Sequence, residues 1–172
     1  MTILLIGPKG AGKSTLREYL EQRGFQSVYM EALYNEFDPK KNHTVDKPSE
    51  VLRDEVYQEA MNRILRFGQT GNVVFDGTGS SPRFDAMYQA IREKTADCVL
   101  VFVDCERDVA FQRTQNRNVS EHRPFDRAYF DKIYDDCQPR KILADFVILN
   151  NKSREDFIDE FREAKMRKGF RA

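Results

Sequence analysis

The sequence predicts an α/β fold: a three-layer sandwich in which a parallel sheet of about five strands lies between helices. Three observations predict it. Short β-branched apolar runs recur at Ile3–Ile6, Ser27–Met30, Asn72–Phe75, Cys98–Val103 and Phe146–Leu149. They are nearly continuous rather than alternating, as strands buried on both faces of a parallel sheet are. Segments with helical apolar spacing lie between them, and such alternation produces right-handed crossovers that put helices on both faces. A ligand is then expected outside the carboxyl ends of the strands.

The first strand runs directly into Gly7-Pro8-Lys9-Gly10-Ala11-Gly12-Lys13-Ser14-Thr15, and a helical pattern continues from Ser14 to about Arg23. This is the G-x-x-x-x-G-K-[ST] phosphate loop in its strand–loop–helix setting. Glycines let the backbone curl so that successive N–H groups point inward at an anion. The helix adds its unpaired first-turn N–H groups and the positive end of its dipole. Gly7, Gly10, Ala11, Gly12, Lys13, Ser14 and Thr15 are thus expected to cradle a nucleoside triphosphate. Lys13 would reach the β- and γ-phosphates, and the Ser14 hydroxyl would coordinate Mg²⁺. A chance match in a chain of this length is on the order of one per cent at average residue frequencies, so the loop is read as a site.

The second strand ends at Glu31, whose carboxylate could orient an acceptor hydroxyl and take its proton; Glu36 and Asp38 are nearby alternatives. Residues 31–48 are polar and carry Pro39, and an excursion of that size in a compact domain points to a binding loop. Residues 31–70 form the expected acceptor-binding region, with Tyr34 and Phe37 placed to stack on an acceptor ring and Arg53 to grip an anionic one. Ser49 caps a helix whose apolar face runs through Val51, Leu52, Val56, Tyr57, Ala60, Met61, Ile64 and Leu65.

The third strand ends in Asp76-Gly77-Thr78-Gly79, where Asp76 can hold a water of the Mg²⁺ shell or accept a proton. Ser81-Pro82 starts the next helix with proline at its first position. Arg83 beside it is a second candidate for an anionic acceptor. Beyond the fourth strand, Arg113 and Arg117 are four apart and share one helix face. Residues 113–126, with Arg123 and Pro124, form the expected lid, which would bring guanidinium groups to the transferring phosphate and exclude water. After the last strand, Ser153-Arg154-Glu155-Asp156 is a capping box, and Phe157, Ile158, Phe161 and Ala164 give its helix a buried stripe.

Composition narrows the class. The 28 basic and 28 acidic residues cancel, so no global field draws the chain to nucleic acid or a membrane. Its apolar runs fall far below the roughly 20 residues of a membrane span. The three cysteines lack metal-site spacing, and Cys98 lies in an apolar strand. Together with the absence of a charged leader, this points to a reducing, cytoplasmic setting. His43 and His122 belong to no catalytic or metal constellation. At 172 residues, a single domain is expected.

Over nearly its whole length the chain resembles the small P-loop kinases of the nucleoside-monophosphate-kinase and shikimate-kinase group. The likeness lies in the phosphate loop, the strand ending Asp76-Gly77, the arginine-rich lid and the closing pattern Ala144-Asp145-Phe146-Val147-Ile148-Leu149-Asn150-Asn151-Lys152-Ser153. It implies a P-loop kinase fold with lid and acceptor-binding insertions, Asn150 and Asn151 as contacts to the base, and Arg113 and Arg117 as lid arginines. Asp76-Gly77 with Pro82-Arg83 looks like the D-G-x-P-R signature of adenylate-type kinases, lengthened by three residues. Arg123-Pro124 looks shikimate-kinase-like, but the Asp-x-Asp and Gly-Gly-Gly that go with shikimate as acceptor are absent. Arg113-Thr114-Gln115-Asn116-Arg117, with Tyr134 and Pro139, resembles the lid of polynucleotide-kinase-type enzymes. The resulting expectation is an ATP- and Mg²⁺-dependent phosphotransferase acting on a small acceptor, a nucleotide or nucleoside. The alternatives are a DNA or RNA hydroxyl kinase and a nucleotide-dependent switch or ATPase with no acceptor.

Overall fold

Five strands make one sheet: β1 (Thr2–Ile6), β2 (Gln26–Tyr29), β3 (Val73–Asp76), β4 (Cys98–Asp104) and β5 (Phe146–Leu149). Every pairing is parallel, in the order β2-β3-β1-β4-β5, as the apolar runs predict. The helices are α1 (Lys13–Glu21), α2 (Met30–Phe37), α3 (Glu50–Gly68), α4 (Pro82–Lys94), α5 (Arg107–Ser120), α6 (Arg127–Cys137) and α7 (Arg154–Arg167), with a 3-10 helix at Gln138–Leu143. The structure, a computed structural model, describes residues 1–40, 48–120, 126–151 and 153–167.

β1 occupies the middle of the sheet and is buried throughout. Alternation along it feeds two cores. Leu4 and Ile6 join Phe75 and Phe102 beneath α3 and α4, meeting Val56, Ile64, Phe84 and Ile91. Ile3 and Leu5 join Val101 and Val103 on the opposite face, meeting Leu16 and Leu20 of α1 and Phe157 and Phe161 of α7. This is the predicted three-layer sandwich. Among the described residues, no helix is long and apolar enough to cross a membrane.

The helix starts follow the serines. Ser49 Oγ accepts from Leu52 N at 3.1 Å, and Ser81 Oγ from Arg83 N at 3.3 Å ahead of Pro82. Ser153 Oγ accepts from Asp156 N at 3.2 Å. The polar stretches differ from expectation. Residues 30–37 are helical, because α2 follows β2 without a turn, so Glu31 stands in the first turn of a helix rather than at a strand tip. Most of the predicted lid up to Ser120 is the second half of α5. Arg123, Pro124, His43, His122 and Lys152 lie outside the described residues. Cys98 is half-buried, and Cys105 and Cys137 are buried free thiols.

Candidate active site

The phosphate loop leaves β1 at the middle of the sheet and enters α1 with Gly7, Gly10 and Gly12 at φ of 139°, 79° and 100°. At Gly7 the reason is close approach as well as backbone angle: a Cβ there would lie 2.1 Å from the Val103 carbonyl oxygen of β4. Gly→Ala exchanges gain up to about 1 kcal/mol where the native backbone tolerates a side chain. Here overlap with fixed main chain and the left-handed φ outweigh that gain. Gly7→Ala is therefore expected to lower the melting temperature by at least about 5 °C and to weaken triphosphate binding, as a thermal melt with and without nucleotide would read. Lys13 closes the loop on itself: its Nζ donates to Gly7 O at 2.9 Å and Pro8 O at 2.8 Å. Burial pulls its pKa down, opposed mainly by the neighbouring Asp76 charge.

Asp76 is buried at the end of β3, directly opposite Leu5 on one side and Tyr29 on the other. Burial pushes its pKa up, against the pull of Lys13 and Arg17. Its Oδ2 lies 3.4 Å from Arg17 Nε and accepts no hydrogen bond. The Tyr29 hydroxyl donates to Glu31 Oε2, which brings the two carboxylates to the same end of the sheet.

Both line a cleft of about 1000 Å³, together with Gly10, Gly12, Lys13, Ser14 and Thr15 of the loop. Arg113 and Arg117 reach it from α5, Tyr34 from α2 and Arg53 from α3. Arg113 is partly engaged, its Nη1 donating to Asn150 O at 2.9 Å. Arg117 Nε is buried and has no hydrogen-bond partner. Arg53 Nη1 donates to Glu50 Oε1 at 2.9 Å, and burial raises the pKa of the neighbouring Tyr34 to about 12. Tyr57, Tyr129 and Lys132 also line the cleft.

Four residues singled out in the sequence are not among those that line the cleft. Arg83 does not line the cleft; it ties α4 to α3, with Nε donating to Asp54 and Nη2 to Glu50 Oε2. Asn150 and Asn151 do not line the cleft either. The Asn150 amide donates to Ala11 O at 2.8 Å, which braces the phosphate loop from below. Asn151 accepts from Glu106 N and donates to its carboxylate, steadying the chain ahead of α5. Phe37 is exposed and stands apart from the cleft.

Sequence reasoning also missed residues. Arg17 is one turn beyond Lys13 on α1, a spacing that places both on one face. Tyr29 follows from pairing β2 with β3 in register. Tyr57 looks like one more apolar position of α3, and Tyr129 belongs to a helix that polar residues obscure.

Residues 3–139 match a family model described as an AAA domain. A UPF0200 protein of Thermococcus kodakarensis is 25% identical over 180 residues, covering 95% of each chain. A gluconokinase from Sinorhizobium meliloti has the same fold, with a TM-score of 0.74 at 16% identity over 97% of this chain and 92% of its own. A shikimate kinase from Aquifex aeolicus superposes over the full length of both chains with a TM-score of 0.69 at 16% identity.

Proposed function

The chain belongs to the AAA-domain family, and from that premise we propose that it is an ATP- and Mg²⁺-dependent phosphotransferase acting on a small acceptor, a nucleotide or nucleoside. One observation carries the reading: the phosphate loop, two carboxylates, the Arg117 guanidinium and the side chains of Tyr34, Tyr57 and Tyr129 line a single cleft. A loop serving hydrolysis alone has no need of those tyrosines.

The acceptor hydroxyl oxygen attacks the γ-phosphorus, the bond to the β–γ bridging oxygen breaks, ADP leaves with the electron pair, and Glu31 takes the hydroxyl proton. Lys13 and the loop amides hold the β- and γ-phosphates. Arg117 follows the charge that spreads over the transferring oxygens. Arg53, Tyr34, Tyr57 and Tyr129 hold the acceptor, with planar aromatic faces for a base or sugar and a guanidinium for an anionic group.

Mg²⁺ fits the residues present. Among the described residues no cluster of three or more metal-ligating side chains occurs, and Mg²⁺ characteristically binds through one or two oxygens together with substrate phosphates. Ser14 and Asp76 would hold it, and the buried Asp76 Oδ2 has a lone pair with no hydrogen bond to accept. Bound there, the ion would neutralise phosphate charge.

Incubation with γ-labelled ATP and a panel of nucleosides, nucleotides, hydroxy acids and oligonucleotides tests the proposal, with water as control acceptor. The expected result is label on a nucleoside or nucleotide at a rate at least about 100-fold above release to water. Label on oligonucleotides alone would replace this reading with a nucleic-acid kinase. Release to water only, independent of any acceptor, would leave an ATPase.

A further inference from the structure

We propose that Arg17 is a positioning residue of this site, holding the Asp76 and Glu31 carboxylates in place when Lys13 turns to the nucleotide. The inference rests on the phosphotransferase reading above.

Arg17 contacts Asp76, Glu21 and the Tyr29 ring. Its Nε is buried 3.4 Å from Asp76 Oδ2, and neither atom has a hydrogen-bond partner. Its Nη1 donates to Glu21 Oε1 at 2.8 Å, one turn further along α1. Its guanidinium lies over the Tyr29 ring, 4.8 Å from the centroid. Tyr29 is the direct partner of Asp76 across the β2–β3 register, and its hydroxyl donates to Glu31. One planar cation thus contacts a buried carboxylate and the aromatic ring that fixes a second.

Charge explains why such a cation is needed. Two carboxylates facing one cleft repel each other, and a buried one without a counter-charge is costly. Lys13 supplies one positive charge, but its ammonium must be shared with phosphates once a polyphosphate enters. Arg17 cannot follow it, because Glu21 on one side and the Tyr29 ring on the other pin the side chain. It remains the fixed counter-charge throughout turnover. A lysine could provide the charge, but not the planar stack and the fork at the same time.

The test compares wild type with Arg17→Met and Arg17→Lys for kcat, KM of ATP and acceptor, ATP affinity by calorimetry, and melting temperature. Methionine keeps cover over the Tyr29 ring and removes the charge. Its kcat is expected to fall roughly 30- to 100-fold, with ATP affinity within about threefold of wild type. Arg17→Lys should recover kcat to within about tenfold. A kcat for Arg17→Met within twofold of wild type would overturn the proposal. So would a parallel loss of kcat, ATP affinity and melting temperature without recovery in Arg17→Lys, which describes a merely structural pair. If Arg17→Met does not fold, Arg17→Lys decides: a kcat lowered between about two- and tenfold at unchanged ATP affinity and melting temperature supports the proposal, and an unchanged kcat refutes it. Should the wild type transfer label to no acceptor, the phosphotransferase reading has failed. Crystal structures then judge Arg17 separately: an Asp76 carboxylate swung away in Arg17→Met supports it, and an unmoved one refutes it.

Discussion

Lys13→Ala is expected to lower phosphoryl transfer by about 10³-fold or more while the melting temperature stays within a few degrees of wild type. The two halves of that result have separate causes. The Lys13 ammonium is buried and bonded to Gly7 O and Pro8 O. Its desolvation offsets most of what those bonds and the nearby Asp76 charge contribute. Removing it leaves Asp76 beside Arg17, so no buried carboxylate is stranded without a counter-charge. In the reacting complex there is no such compensation, because the ammonium is the mobile cation that can meet the β- and γ-phosphates from within the loop. Radiolabel transfer alongside a thermal melt checks both halves. Wild-type turnover in the variant would refute the assignment of the loop, and an unfolded variant would refute the stability argument.

Arg117→Ala should lower kcat by roughly 10³-fold and leave ATP affinity within about threefold. Arg113 and Arg117 share a face of α5, but they are not equivalent. Arg113 is committed in part to Asn150 O, and so to bracing the segment that supports the loop. Arg117 has a buried Nε with no hydrogen-bond partner. A donor already desolvated and still unsatisfied gains most when negative charge develops beside it, which happens in the transition state more than in bound ATP. Steady-state kinetics with calorimetric ATP binding separates the two effects. An unchanged kcat would remove Arg117 from the reaction.

What the sequence disclosed and what it concealed divide along physical lines. The phosphate loop and the five strands are local patterns: glycines at positive φ, and short apolar runs buried on both faces. Serine caps and the Ser81-Pro82 pair are equally local, and each sits where it was read. Hidden elements lacked such punctuation. α2 begins at Met30 directly after β2, with no capping side chain. α6 buries only Phe130 and Cys137 among eleven residues, so its pattern looks like polar loop. Partner choice was hidden too. Arg53 and Arg83 look alike in sequence, yet α3 turns one into the cleft and offers the other Asp54 and Glu50. Asn150 reads as a base contact, and only the fold shows its amide donating to Ala11 O. Arg17 was legible, four residues beyond Lys13 on the same helix, but its importance depends on Asp76 arriving from another strand.

The most direct test is a crystal structure of the chain with Mg²⁺ and a non-hydrolysable ATP analogue. The β- and γ-phosphates are expected inside the curl of residues 7–15, with Lys13 Nζ drawn off Gly7 O and Pro8 O onto them. A triphosphate bound elsewhere, or Lys13 still bonded to both carbonyls beside a bound analogue, would contradict it.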